Sequence, residues 1–159
     1  MSEVVDVALF TVSRLQTIYP ETPVNFVKLQ KLLYFMQGCS YINYERPLFG
    51  EDIYAWPCGP TIREVQARLS IFAFGDIDLY LGEPDNAISN EDIVTINHVL
   101  DELGNKEDKI LMAIISHHLI YKSTYAAWRE DINNKEKAII NKEDIQSYFL
   151  KNKDTIFSR

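Results

Sequence analysis

Residues 22–44 read TPVNFVKLQKLLYFMQGCSYINY, and the spacing of their apolar members decides the fold. Phe26, Leu29, Leu32, Leu33 and Met36, with Cys39 extending the row, recur at three- and four-residue intervals, the period of a helix with one buried side. Thr22 offers an N-cap, and Pro23 suits the first helical position, where its missing N–H costs nothing. The pattern predicts a long helix that fades by Tyr44 and leaves Lys28, Lys31 and Gln37 on the more exposed side.

Upstream, Val4, Val5, Ala8, Val12, Leu15 and Tyr19 repeat the same period after Ser2, an N-cap residue, so a first amphipathic helix should run to about Pro20. Downstream, RPLFGEDIYAWPCGP (46–60) breaks the helical pattern. Ile53, Ala55 and Pro57 alternate with Tyr54 and Trp56, which predicts a turn and a short extended piece. Pro60 should restart a helix with Ile62, Val65 and Leu69 inward. Residues 71–86, aromatic, acidic and punctuated by Gly75, Gly82 and Pro84, read as loop with at most a little strand.

Ser89 with Asp92 imitates a capping box for a helix through Ile93, Ile96, Leu100 and Leu103 that Gly104 stops. Asn105 and Asp108 repeat the device for Ile110, Leu111, Ile114, Ile115 and His118. Ser123 can cap a short helix containing Trp128, and Asn141 a last one with Ile145, Tyr148 and Phe149 inward. The expected fold class is mainly α: residues 1–159 as a single compact domain of about seven helices, with a small extended or turn insert around residues 46–59.

Composition narrows the function classes. At 159 residues a full core needs no disulfide or metal staple. No apolar run approaches the roughly 20 residues of a membrane span, and Glu3 and Asp6 stand where a signal peptide would be basic, so the expected location is the cytoplasm, with no membrane partner. Cys39 and Cys58 lack CxxC spacing and are expected as two free, buried thiols. The net charge of -7 is uneven: residues 76–108 hold ten acidic residues and only Lys106 as a base. That sign repels phosphate backbones, so no direct contact with nucleic acid is expected.

No catalytic constellation is complete. Ser116 and His117 are helix neighbours about 100° apart and cannot act as a nucleophile–base pair. His117 and His118 with a distant His98 lack the i, i+4 spacing of metal ligands; one histidine should hydrogen-bond in the core and the other be exposed. The glycines form neither a dinucleotide fingerprint nor a phosphate loop. The acidic pairs Asp76/Asp78 and Asp101/Glu102 lack apolar surroundings that would raise one pKa. The reading is a non-enzyme without cofactor or metal. Tyr54, Trp56, Pro57, Gly59 and Pro60 form a rigid segment rich in large amphipathic residues. Either they anchor an interface, or Trp56 plugs the core against Trp128 and Tyr34.

The run from Lys28 to Val65, KLQKLLYFMQGCSYINYERPLFGEDIYAWPCGPTIREV, resembles the Panacea domain, the SocA-like antitoxin family also met as phage-associated proteins. The similar pieces are Lys28 to Tyr34, Arg46-Pro47-Leu48-Phe49, Ile53 with Ala55-Trp56, and Gly59-Pro60. Ser116-His117, Trp128 and the closing Ile140, Glu143, Ile145, Tyr148 and Phe149 are similar to the family's C-terminal half. Lys31, Tyr34, His117 and Trp128 fall on family-motif positions. Ala127 departs from the family's usual proline before the second tryptophan, and the stretch after His117 is longer than usual. The resemblance implies the antitoxin of a type II toxin–antitoxin pair, binding its cognate toxin directly; in SocA-type members it also implies an adaptor that delivers the toxin to a protease. On the residues alone, Tyr54, Trp56, Pro57, Gly59 and Pro60 are one candidate partner surface. The acidic stretch beginning at Asp76 and Asp78 is another, suited to a toxin's basic cleft. The competing class is a small-ligand or enzymatic pocket built from Tyr34, Trp56, His117 and Trp128.

Overall fold

A computed structural model describes residues 1–72 and 75–158. Among these, seven α-helices follow in the order α1 (Val4–Ile18), α2 (Phe26–Tyr44), α3 (Arg63–Arg68), α4 (Asn90–Leu103), α5 (Asp108–Ile115), α6 (Leu119–Arg129) and α7 (Lys142–Lys151). Two small antiparallel pairs complete them: β1 (Val24–Asn25) with β4 (Asp76–Ile77), and β2 (Tyr54–Trp56) with β3 (Gly59–Thr61). The mainly helical single domain with a non-helical insert is as expected, and 71–72 and 75–86 hold little regular structure beyond β4 and one 3-10 turn. Residues 73 and 74 of the expected loop lie outside the described residues.

The core is organised around α2. Every residue from Leu29 to Tyr41 is buried, and α1, α4, α5, α7 and β3 all pack on this helix. One apolar cluster therefore runs from Val4 through α2 to Ile156. This corrects the expectation for Lys31 and Gln37, which are buried, while Lys28 is half-buried. Burying such groups costs several kcal/mol unless each is partnered, and here each is. Gln37 Nε2 donates to the Phe49 carbonyl at 2.8 Å, and its Oε1 accepts from Leu48 N at 2.9 Å and Phe49 N at 3.2 Å. Lys31 Nζ meets Asp108 Oδ1 at 2.6 Å. At Gly38 even a methyl group would collide with the Phe149 ring, so glycine sets how closely α7 approaches.

Several helix starts differ from expectation, and at Ser2, Thr22–Pro23 and Pro60 the cause is a long-range pairing. Ser2 is no cap: it bridges Phe49, and its Oγ donates to Asp92 Oδ2 at 2.6 Å, while α1 begins after Glu3 without a side-chain cap. Thr22 and Pro23 do not open α2, because Val24–Asn25 is drawn into pairing with Asp76–Ile77; Asn25 becomes the cap, accepting from Lys28 N at 3.1 Å. Pro60 lies in β3 opposite Ala55, and α3 starts only at Arg63. Asn105 caps nothing, since α5 begins at Asp108 behind Glu107. The chain bends at Ser116–His117, so His118 stands at the start of α6 rather than on α5. Ser123 lies inside α6, its Oγ donating to the Leu119 carbonyl at 2.8 Å. Ser89 and Asn141 do cap α4 and α7, and Gly104 does end α4.

Candidate functional site

The β2–β3 hairpin is two residues of turn, Pro57 and Cys58, between the paired Trp56 and Gly59. Strand alternation puts Ala55 into the core and leaves Tyr54 and Trp56 half-buried on the other face, their ring centroids 5.5 Å apart. Pro57 and Cys58 are exposed, which corrects the expectation of a buried Cys58; a two-residue turn at a hairpin tip has nothing packed over it. Gly59 and Pro60 are buried beneath.

The hairpin is held from below by α2, α5 and α6. Gln30 Oε1 accepts from Ile62 N at 3.0 Å and Nε2 donates to the Ile62 carbonyl at 3.2 Å, so one side chain completes the strand-like pairing that the chain loses as it leaves β3. Tyr121 Oη donates to the Trp56 carbonyl at 2.6 Å, and burial pushes this phenol up to about 12. Gly59, at φ +115°, seats its Cα directly over the Lys31 side chain and the Met112 sulfur; a Cβ there would meet both. Lys31 is in turn fixed by Asp108. Beside it, Lys28 Nζ donates to the Gly104 carbonyl at 2.6 Å at the end of α4. Burial lowers the Lys28 pKa, and Asp108 acts in the opposite direction. On the far strand, Tyr54 bridges Ile139, and Ile140 N donates to the Ile53 carbonyl at 2.8 Å. Fixed in this way, the tip is preorganised to present Trp56.

Between the hairpin and the start of α2 runs a groove of about 200 Å³, walled chiefly by Phe26, Val27, Trp56, Pro57 and Pro60. Neither Tyr34, His117 nor Trp128 lines it. This groove therefore does not bring Tyr34, Trp56, His117 and Trp128 together: Tyr34 is buried, His117 is exposed, and Trp56 stands half-buried in the groove wall instead of plugging the core. Trp128 is half-buried at the end of an α6 row in which Tyr121 and Tyr125 stack at 5.9 Å and Tyr125 meets Trp128 at 6.1 Å.

Tyr34 has a different partner. Its hydroxyl shares a hydrogen bond with His118 Nδ1 at 2.8 Å, inside a cage of Phe35, Tyr148 and Phe149. Burial lowers the His118 pKa to about 4, a hydrogen bond to the Ile156 backbone opposes the shift, and nearby His117 adds to it. The ring is neutral at pH 7, donating to Ile156 and accepting from Tyr34. Burial, with Tyr148 adding to it, raises the Tyr34 phenol well above its ordinary value. The expectation of one core histidine and one exposed histidine holds, with His118 inside and His117 on the surface. A neutral imidazole and an un-ionised phenol sealed from solvent form a structural pair.

The acidic stretch is also divided. Asp92 is buried against Arg46 at 3.0 Å, and Asp108 is held by Lys31, so neither faces outward freely. Asp76 and Asp78 are exposed, with Asp76 alongside Asn25 at the start of α2. Sequence reasoning missed Gln30 and Tyr121 as residues that hold the hairpin and Asp108 as the partner of Lys31; nothing local to them points to partners so far along the chain.

These positions make sense of a family pattern. The model of the family described as "Antitoxin SocA-like, Panacea domain" matches residues 29–156, most of the chain. The chain belongs to this family. No curated protein matches it, and no solved structure does. Within this Panacea domain, the Leu29–Tyr34 segment is where Gln30, Lys31 and Tyr34 each reach a partner from a different part of the fold. Among the described residues, no helix is long and apolar enough to cross a membrane, and no three His, Cys, Asp or Glu side chains group as metal ligands.

Proposed function

We propose that this protein is the antitoxin of a type II toxin–antitoxin pair, acting in the cytoplasm by binding a cognate toxin protein through the Trp56 hairpin. Membership of the Panacea family is the observation that carries the reading. The hairpin supports the choice of surface: a large aromatic stands half-exposed on a rigid tip beside an apolar groove, the arrangement of an interface anchor. Two residue classes that a pocket enzyme would need are otherwise engaged, since His118 and Tyr34 satisfy each other and Lys31 is neutralised by Asp108.

Co-expression with the neighbouring reading frame's product tests this. Growth arrest caused by that product should be relieved by the wild-type chain and not by Trp56→Ala, whose circular dichroism should match wild type. Relief that survives Trp56→Ala moves the contact elsewhere; a neighbour that arrests nothing and fails to co-purify removes the antitoxin reading.

A further inference from the structure

Phe26, in the wall of the groove beside Trp56, donates its N–H to the Gly75 carbonyl at 3.1 Å, and Asn25 before it pairs with the exposed Asp76. Beyond it, Asp78 and Glu21 line a second hollow with Pro20, Pro23 and the outward-facing Leu79 and Tyr80, which are 60% and 65% exposed. Among the described residues no basic side chain pairs with Glu21, Asp76 or Asp78, and residues 69–105 contain no Lys or Arg. Of the polar side chains that line the groove, Gln30 is spent on Ile62 and Thr61 Oγ1 donates to the Gly59 carbonyl at 3.1 Å, which leaves Gln66 and the Cys58 thiol at its rim. A largely apolar slot at the start of α2 is therefore followed, across the β1–β4 pair, by acidic side chains with no basic partner.

We propose that slot and strip are one docking surface, and that its occupant is a partner-protein segment in which a large apolar side chain is flanked by Lys or Arg. The apolar side chain enters beside Trp56 and Pro57, and the cations face Asp76, Asp78 and Glu21. Charge disfavours the other candidates. A second copy of this chain carries the same net -7 and would set this strip against itself in a two-fold contact. Nucleic acid and anionic membrane are repelled. The inference deepens the reading that the protein works by protein contact, and its test needs no toxin.

Three 14-residue peptides serve as probes: one alternating Lys and Leu on a helical face, one with Glu for Lys, and one with Ser for Leu. Affinity is read by calorimetry and location by protection of the exposed Cys58 thiol from alkylation. The Lys/Leu peptide should bind at least about tenfold tighter than either control and slow Cys58 alkylation. Trp56→Ala should weaken it about tenfold, and Asp76→Asn with Asp78→Asn should flatten its salt dependence. Equal binding of the Lys/Ser peptide would reduce the effect to bulk charge, and equal binding of the Glu/Leu peptide would remove the acidic strip. Either result overturns the proposal, as does an unprotected Cys58. If the Lys/Leu peptide docks and no toxin is found, the antitoxin reading alone fails.

Discussion

His118 ties the stability of this fold to mild acid. Its ordinary pKa of 6.5 is lowered to about 4 in the folded chain, chiefly because burial disfavours the imidazolium. The unfolded chain therefore binds more protons between these values, and stability is lost as pH falls through that window. From pH 7 to pH 5 the loss from this one group is about 2 kcal/mol, reaching about 3 kcal/mol below pH 4. Against a typical stability of about 5–15 kcal/mol this is readily measured. His118→Gln is the informative variant, because its amide can accept from Tyr34 and donate to Ile156 without titrating. Urea unfolding followed by circular dichroism at pH 7 and pH 5 should show wild type losing about 2 kcal/mol more than the variant across that interval. A variant and wild type that lose the same amount would refute the account of His118 as a buried neutral ring.

Gln30→Met keeps the side-chain volume but strands the Ile62 N–H and carbonyl, so the urea midpoint should fall by the equivalent of at least about 2 kcal/mol; an unchanged midpoint would mean that Gln30 holds nothing. With a thiol reagent, the folded protein should show one fast-reacting cysteine, Cys58. Cys39 is buried, and burial, aided by Glu102, pushes its thiol up to about 12, so it should react only on unfolding; two fast equivalents would contradict this placement.

Local chemistry was legible in the sequence wherever the signal and its partner lie within one helical turn. Ser89 and Asn141 cap helices because their side-chain oxygens reach N–H groups two or three residues on, and α2 fades at Tyr44 as its apolar row does. Misreadings begin where a partner lies far along the chain. Periodicity treats a polar residue as an outside residue, but Lys31 meets Asp108 and Gln37 meets Phe49, so α2 is buried on all sides. The bend at Ser116–His117 ends α5 early, so His118 keeps its expected inward place but holds it from the start of α6. For the candidate surface, the aromatic and proline content of residues 54–60 marked the segment that forms the hairpin. Its orientation, with Trp56 outward and Gly59 inward, is fixed by hairpin register and by Tyr121, some 65 positions away in sequence.

The three side chains that grip the hairpin and its approaches share a property. Gln37 binds the main chain of Leu48 and Phe49, Gln30 that of Ile62, and Tyr121 that of Trp56. A hold on peptide groups is blind to side-chain identity, so the tip residues can be exchanged while the path of the loop stays put. Gly59 is the exception, because Lys31 and Met112 leave no room above it. The helical body thus fixes the course of residues 56–58 through their neighbouring peptide groups and through Gly59, and leaves the side chains at the tip outside that hold.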